Sequence, residues 1–376
     1  ANNPNENYAR EFLELFTITK GEQIGEGDYT TYTEDDVIQA ARVFSGFKTM
    51  LDRSIIDADT GIPMGRINVN QHDQGDKIFS HAFDNYELQA GTDQNSIMDE
   101  LHEFVDMVFD KEATAKAYVE KLYRFFVKSE WTAEDEATII NPLAQQLMEN
   151  NYDIVPVVRT LLSSQHFFDF GDDDPNDEII GSIIKSPLQL AASMIRNFEF
   201  IIPEPSEDLG NYYKFSMYFL RNNYFPMSGM ELFAPETVAG HPAIYQSPDF
   251  DRHWFSSSTI LARYRLTESL ITGRNKLGAN GQFGASINSV NFVQNNITSP
   301  GNIQNLINDI SELIYAYPID QDRVSYFADL ILDGFPDYYW AETWDTFINS
   351  GDDTIVKNKL DTLIGAMLNA PENQLM

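Results

Sequence analysis

The chain has 376 residues, of which 58 are acidic and 25 are basic, so its formal net charge is -33. Such a charge repels nucleic-acid phosphates and anionic membrane surfaces, and we expect no nucleic-acid partner. The chain has no cysteine, which excludes disulfides, thiolate zinc sites, iron–sulfur clusters and cysteine nucleophiles. Its hydrophobic content of 43% is enough to fill substantial cores, yet no apolar run reaches the roughly 18 to 20 residues of a membrane span.

The opening segment, Asn5 to Thr17, predicts a helix with two stripes. Glu6, Arg10 and Glu14 follow one another at i, i+4 steps and form the polar stripe. The apolar stripe consists of Tyr8, Phe12, Leu15 and Phe16. The polar stripe has two interpretations. It is either a salt-bridge ladder on a solvated face or a buried set, which must be paired and often organises a site.

The rest of the first half reads as helices interrupted by one short ribbon. Thr33 to Asp36 resembles a capping box and Gly46 a helix stop. The segments Phe47 to Leu51 and Arg66 to Val69 predict a small β-ribbon. The further helices predicted are one opened by Ser96 and Asp99, then Ala113 to Val127, Thr132 to Asn150 and Ile154 to Ser163.

An acidic, turn-rich stretch then predicts a boundary at residues 171–179. It separates an N-terminal region, 1–170, from a C-terminal region, 180–376, although the two regions form one compact unit in an alternative reading. Ser186 and Pro187 predict the start of a helix through Phe198, and Ser258 or its neighbours cap another to about Thr272. Gly273 to Gly301 is predicted to be a long surface loop. The fold class expected is mainly α, an irregular multi-helix array with a small β-ribbon near residues 47–80.

The strongest catalytic candidate is the turn His72-Asp73-Gln74-Gly75-Asp76-Lys77. A turn presents an imidazole and carboxylates together, and histidine titrates near neutral pH. Asp73 and Gly75 are also ordinary turn-forming residues, so the motif has a purely structural interpretation. If the opening helix packs behind this turn, Glu6 or Glu14 serves as general base or metal ligand and Arg10 holds an anionic group.

A second candidate is the set His241, Trp254, Ser256 and Ser257, with Lys77 as a further ligand-binding residue. The serines precede a helix, so their hydroxyls and the free backbone N–H groups are suited to an anion, although ordinary N-capping explains them equally.

Two acidic loops carry enough oxygen ligands for calcium. They are Asp57-x-Asp59-x-Gly61 and Asp172-x-Asp174-x-x-Asp177-Glu178, and neither has EF-hand spacing. Solvated turns explain them as well, and the identity of any metal stays open.

An ordered series of motifs resembles the bacterial family called domain of unknown function 1800. The opening motif is followed by Thr33 to Val37, Ala40-Ala41-Arg42 and Ser45-Gly46-Phe47, and the His72 turn is similar to the family's His-Asp-x-Gly-x-Lys. The later matches are Lys121 to Phe126, Lys185-Ser186-Pro187, Leu232 to Gly240, Trp254 to Arg263 and Leu368 to Glu372.

The chain departs from the family pattern in two places. It reads Gly240-His241-Pro242 where the family has Gly-Trp-Pro, and it begins almost on the opening motif, where members carry a further helical region. A missing N-terminal part of the same protein is therefore a predicted partner.

The family has no settled activity. The resemblance implies export to the periplasm or cell surface, beside a sulfatase-like or phosphatase-like partner.

Two functions follow as hypotheses. The first is a cell-surface hydrolase of anionic or carbohydrate material, with His72 as acid or base, Asp73 orienting it and Arg10 clamping the substrate. The second is a non-catalytic scaffold or binding module for a partner enzyme or a surface polymer. A cleft between the first helix and a partly exposed His72 indicates the enzyme, and closed ion pairs beside exposed aromatic residues indicate the scaffold.

Overall fold

The computed structural model describes residues 4–58, 60–168, 179–279 and 281–376. The Cα positions cluster into two compact units, Ala1–Phe167 and Phe168–Met376. Helices take up 57% of the chain and strands 7%, so the predicted mainly α fold is confirmed. The boundary at residues 171–179 stays a prediction, because all of these residues except Ile179 lie outside the described part of the chain. No helix among the described residues is long and apolar enough to cross a membrane.

The first part of the chain combines helices with three two-stranded antiparallel ribbons. Its α-helices are α1 (Glu6–Glu11), α2 (Glu34–Val43), α3 (Gln94–Phe109), α4 (Glu112–Phe126), α5 (Ala133–Asp135), α6 (Asn141–Glu149), α7 (Ile154–Leu162) and α8 (Gln165–Phe168). Its strands are β1 (Gln23–Gly25), β2 (Asp28–Tyr29), β3 (Phe47–Thr49), β4 (Gly65–Ile67), β5 (Lys77–Ile78) and β6 (Glu87–Leu88). π-Helical turns follow α1 and α5 at Phe12–Phe16 and Glu136–Ile140, and 3-10 turns lie at Val69–Gln71 and His81–Phe83.

Local sequence signals explain the elements near the candidate site. Thr33 caps α2 with a capping box, in which its hydroxyl accepts from the Asp36 N–H at 3.2 Å and its own N–H donates to Asp36 Oδ2 at 2.7 Å. Strand β3 pairs with β4 in the register Phe47↔Ile67, so the predicted ribbon is confirmed.

The opening segment begins with Asn5 as N-cap and forms α1 and then the π-helical turn. Ala9 and Leu13 are fully buried, and the Phe12 ring lies 5.2 Å from that of Phe44. Tyr8 is 50% exposed. The apolar stripe therefore lies partly at the surface.

The second part of the chain is helical around one large apolar core. Its helices are α9 (Pro187–Asn197), α10 (Leu209–Tyr212), α11 (Phe225–Met227), α12 (Pro242–Tyr245), α13 (Thr259–Thr272), α14 (Ser289–Asn296), α15 (Ile303–Ile314), α16 (Gln321–Leu332), α17 (Tyr338–Ser350) and α18 (Thr354–Asn369). A π-helical stretch covers Tyr213–Tyr224, and 3-10 turns cover Phe250–Trp254 and Pro371–Gln374.

The prediction of a surface loop from Gly273 to Gly301 is wrong. The segment contains α14, which packs against α18, and its Phe283, Ile287 and Val293 are buried in the core. The Ile287 N–H also donates to the Leu270 carbonyl at 2.9 Å. The segment is so rich in Gly, Asn and Ser that its apolar residues show no helical periodicity in the sequence. Its helix forms because the segment packs onto α18.

Candidate functional site

His72 lies in the interior of the first unit and is only 4% exposed. Its Nδ1 is 2.9 Å from the Ser45 carbonyl oxygen, and its Nε2 is 2.9 Å from Glu100 Oε2. Both partners are oxygen acceptors, so both contacts are satisfied when each ring nitrogen carries a proton. Both ring nitrogens of His72 are therefore engaged within the protein, and neither is available to a substrate.

Glu100 is the centre of this buried set. Its Oε2 accepts from the Gly91 N–H at 2.7 Å, and Lys77 Nζ lies 2.6 Å from its Oε1, at an angle outside the range of a regular hydrogen bond. Burial by itself raises the pKa of a carboxyl, but hydrogen bonds from His72 and Gly91, together with the nearby Lys77 charge, outweigh it and hold the pKa of Glu100 below its ordinary value. Lys77 is fully buried as well, so this predicted ligand-binding residue is enclosed.

Asp73 contacts Arg42 through its carboxylate. Arg42 Nη2 lies 3.0 Å from Asp73 Oδ1, which also accepts from the Gly75 N–H at 3.1 Å. Partial burial raises the pKa of Asp73, but these donors outweigh it and lower the pKa overall. The carboxylate that holds His72 belongs to Glu100, in place of the Asp73 expected from the sequence.

The opening helix carries a separate ionic network. Arg10 donates to Glu34 at 2.8 and 2.5 Å in a two-bond pair, and its Nη1 lies 3.7 Å from Glu14. The Glu34 carboxylate raises the pKa of Arg10, and Arg10 in turn lowers the pKa of Glu34. Tyr32 donates its hydroxyl to Glu14, while Glu6 is exposed in the first turn. Arg10 is therefore engaged within the protein.

The Arg10 network and the His72 turn contact helix α2 near its opposite ends. Arg10 pairs with Glu34 at the first residue of the helix, and Asp73 pairs with Arg42 near its last. Eight residues of helix separate these positions by about 12 Å along the axis. The combined acid–base and clamping site predicted from the sequence does not assemble at one point.

A cleft of about 780 Å³, here called the ribbon cleft, opens between the start of α1, the β3–β4 ribbon and α3. Its lining is mostly apolar, and its described residues include no acid and no histidine. The lining consists of Asn5, Tyr8, Phe44, Phe47, Lys48, Thr49, Met50, Arg53, Pro63, Met64, Gly65 and Leu101. The Tyr8 ring packs edge-on at 4.9 Å against the ring of Phe44, which leaves part of Tyr8 facing solvent.

The buried His72 set supports the floor of this cleft. His72 binds the Ser45 carbonyl, and the Ser45 hydroxyl accepts from the Asp73 N–H at 2.8 Å. Gly46 follows with φ of +84°, where a Cβ would lie 2.9 Å from the Asn68 carbonyl oxygen. These contacts hold the backbone between Phe44 and Phe47, which both line the cleft. His72 is thus a positioning residue for the cleft.

The ribbon is a cationic surface on a strongly acidic chain. Lys48 and Arg66 face each other as Cα partners across the two strands, and Arg53 lies in the connecting loop. All three are exposed, and in the described part of the chain none has a carboxylate within 4 Å. Like charges directly opposite on a ribbon repel each other, so an anion at this position would relieve the repulsion.

The second candidate set predicted from the sequence, which includes Trp254 and Ser256, makes its contacts with neighbouring residues of the chain. Trp254 is buried, with its ring 5.7 Å from that of His241. The Ser256 hydroxyl lies 2.9 Å from that of Ser258 and accepts from the Thr259 N–H at 3.3 Å. Ser257 is exposed. Ser256 therefore bonds the first N–H of α13, whereas the N-cap residue Ser258 makes no side-chain capping hydrogen bond.

The first acidic loop is also closed by internal hydrogen bonds. Asp57 Oδ1 accepts from the Thr60 N–H and hydroxyl, each at 2.9 Å. Within residues 4–58, 60–168, 179–279 and 281–376, no group of three or more His, Asp or Glu side chains is placed to hold a metal. Asp59 and the second loop, Asp172 to Glu178, lie outside the described residues.

Sequence reasoning missed Glu100 and the cations of the ribbon. Glu100 lies on the apolar face of α3, between Ile97 and Phe104, which are both fully buried. An acidic residue at a core position of an amphipathic helix is a signal of a buried ion pair. The ribbon cations give no comparable signal, because their common location depends on strand pairing.

Comparisons with known proteins identify a family but no function. No curated protein and no solved structure shows significant similarity to the chain. The sequence profile of the family described as "Protein of unknown function (DUF1800)" matches residues 1–375. The chain therefore belongs to the DUF1800 family, as its motifs and their order indicate.

Proposed function

We propose that the protein is a binding module whose ribbon cleft holds an amphipathic anion, meaning a ligand with an apolar body and a carboxylate, sulfate or phosphate group. The observation that carries the proposal is the combination of an aromatic and methionine lining with two exposed cations, Lys48 and Arg53. Binding clefts commonly pair a mainly apolar surface with a few polar groups that orient the ligand.

Electrostatics supports an anionic ligand. The chain as a whole has a net charge of -33, so an anion is repelled from most of its surface and attracted only where cations collect. Lys48, Arg53 and Arg66 are such a collection, and their charges are available because no carboxylate neutralises them in the described part of the chain. The positive charge of these three residues disfavours a cationic ligand in this cleft.

Hydrolysis of anionic or carbohydrate material is the other function predicted from the sequence. It needs an acid or base within hydrogen-bonding distance of the bound substrate. His72 uses both ring nitrogens inside the protein, and Arg10 is paired with Glu34. These engagements support binding over hydrolysis.

Export to the cell surface and a sulfatase-like or phosphatase-like partner remain part of the proposal on the basis of the family resemblance alone. Detection of the protein in a periplasmic or surface fraction of its source cells supports this part, and confinement to the cytoplasm refutes it.

The test uses the anionic dye 8-anilinonaphthalene-1-sulfonate, whose fluorescence rises in an apolar site. We expect saturable binding to the full chain, displacement by dodecanoate and no displacement by dodecanol. The double variant Lys48→Ala/Arg53→Ala should bind the dye about tenfold more weakly, because two exposed charge contacts contribute roughly 0.7 kcal/mol each.

The control variant is Arg159→Ala, which removes one exposed cation of α7 outside the cleft. It should bind as the wild type does. Equal dye binding by the double variant, or displacement by dodecanol as readily as by dodecanoate, would refute an anion-selective cleft.

A further inference from the structure

A second concave surface, here called the α16 groove, lies in the C-terminal unit. It has a volume of about 480 Å³ and is formed by the loop before α16, the first turns of α16 and the 3-10 turn at Pro371–Gln374. Its lining consists of Tyr317, Pro318, Ile319, Asp320, Asp322, Arg323, Tyr326 and Glu372. Neither the family nor the sequence motifs assign a role to it.

Two tyrosine rings give the groove an aromatic surface. Tyr326 is 50% exposed and Tyr317 is 37% exposed. Tyr317 is held against the backbone of Gly181, where an added Cβ would lie 2.9 Å from the ring. Rigid aromatic rings offer a large contact area at a small cost in side-chain entropy, and they pack well on the C–H faces of a sugar ring.

An oriented pair of planar polar groups lies beside the rings. Arg323 Nε and Nη2 donate to the two Glu372 oxygens at 2.8 and 3.0 Å. The Arg323 guanidinium also lies 4.9 Å from the Tyr326 ring centre and 4.7 Å from that of Phe327. This arrangement presents the remaining donors of Arg323 and the lone pairs of Glu372 in fixed directions.

The charges of the groove disfavour an anionic ligand. Arg323 and Glu372 cancel each other, and the Asp320 carboxylate is used in capping α16 through the Arg323 N–H at 2.7 Å. Asp322 is exposed at the edge and adds a hydrogen-bond acceptor. A free anion is repelled by Asp320 and Asp322, and the cation position over Tyr326 is already filled by Arg323.

We infer that the α16 groove is a carbohydrate-binding site that takes a neutral hexose oligosaccharide. The sugar packs one ring face on the tyrosines, and its hydroxyls donate to Asp322 and Glu372 and accept from Arg323. The site does not depend on the ribbon cleft, which lies in the other unit.

The experiment is calorimetric titration of the full chain with cellohexaose, maltohexaose, mannohexaose and chitohexaose. We expect at least one of them to bind, and Tyr326→Ala to weaken that binding by about tenfold or more. Tyr326→Phe keeps the ring and should retain most of the affinity. Tyr338→Ala removes a tyrosine of α17 that is 64% exposed and lies outside the groove, and it should leave binding unchanged.

Three results would overturn the inference. One is the failure of all four oligosaccharides to bind at concentrations up to about 10 mM, beyond which an interaction is too weak to count as a site. Another is binding that Tyr326→Ala leaves intact in a variant that unfolds like the wild type. The third is binding of tetramethylammonium with the same dependence on Tyr326, which would identify the groove as a cation site.

Discussion

The two units bury cations in different ways. In the first unit, His72 and Lys77 share the carboxylate of Glu100, at 2.9 and 2.6 Å. In the second, Lys185 and Arg263 are both buried, and in the described part of the chain neither has a carboxylate within 4 Å.

Among the described residues, Lys185 and Arg263 make their hydrogen bonds to neutral groups. Lys185 Nζ lies 3.0 Å from the Asn373 carbonyl, and Arg263 donates to Gln374 Oε1 at 2.7 Å and to the Lys185 carbonyl at 2.8 Å. Burial, with the nearby Arg263 charge, lowers the pKa of Lys185 to about 8. Burial also lowers the pKa of Arg263.

This difference separates two kinds of buried charge. In the first set the Glu100 carboxylate compensates the buried Lys77 ammonium, so removing the carboxylate leaves that charge uncompensated. Neutral carbonyl and amide oxygens orient the second set without cancelling its charge, so losing a proton there relieves an unfavourable state.

The largest expected effect is the loss of Glu100. Glu100→Gln should lower the unfolding free energy of the first unit by about 3 to 5 kcal/mol, because it leaves the buried Lys77 ammonium without a counter-charge. Urea unfolding at pH 7, followed by Trp131 fluorescence, measures it. Asp99→Asn removes an exposed carboxylate of the same helix and should change stability by less than about 0.5 kcal/mol.

The stability of the Glu100→Gln variant at acidic pH provides a second test. The pKa of folded Glu100 lies below its ordinary 4.5, so its stabilisation is present above that value and is lost as the pH falls further. The stability difference between wild type and Glu100→Gln should therefore shrink below about pH 4.5. A difference that stays constant down to pH 3 would contradict an ionised Glu100.

The second unit should become more stable in mild alkali. The unfolded chain keeps the Lys185 proton up to about pH 10.5, whereas the folded chain releases it from about pH 8. Between these values the unfolded state binds more protons, so the unfolding free energy rises with pH, by up to roughly 3 kcal/mol. Urea unfolding between pH 7 and 10 measures the rise, and it should be absent in Lys185→Met.

The smallest expected effect is that of Lys185→Met at pH 7. Replacing a buried cation without a carboxylate by an apolar side chain of similar length should leave stability unchanged or raise it by about 1 kcal/mol. Lys214→Met, at an exposed lysine, controls for the substitution itself. A loss as large as that of Glu100→Gln would mean that the neutral oxygens stabilise Lys185 as well as a carboxylate does.

Local patterns predicted much of the fold. The Thr33 capping box, the Ser186-Pro187 helix start and the ribbon near Phe47 depend on neighbouring residues, so they are visible in the sequence. Helix α14 was not predictable in this way, because its apolar residues become regular only when α18 covers them.

The sequence by itself determined the mainly α class, the acidic surface, the absence of thiol chemistry and the residues that compose each polar motif. Only the tertiary structure decided which motifs meet. His72 pairs with Glu100 across 28 positions of the chain, and Arg10 pairs with Glu34 across 24. Capping and amphipathic periods follow from contacts within a few residues, whereas the partner of a buried charge depends on how distant elements pack.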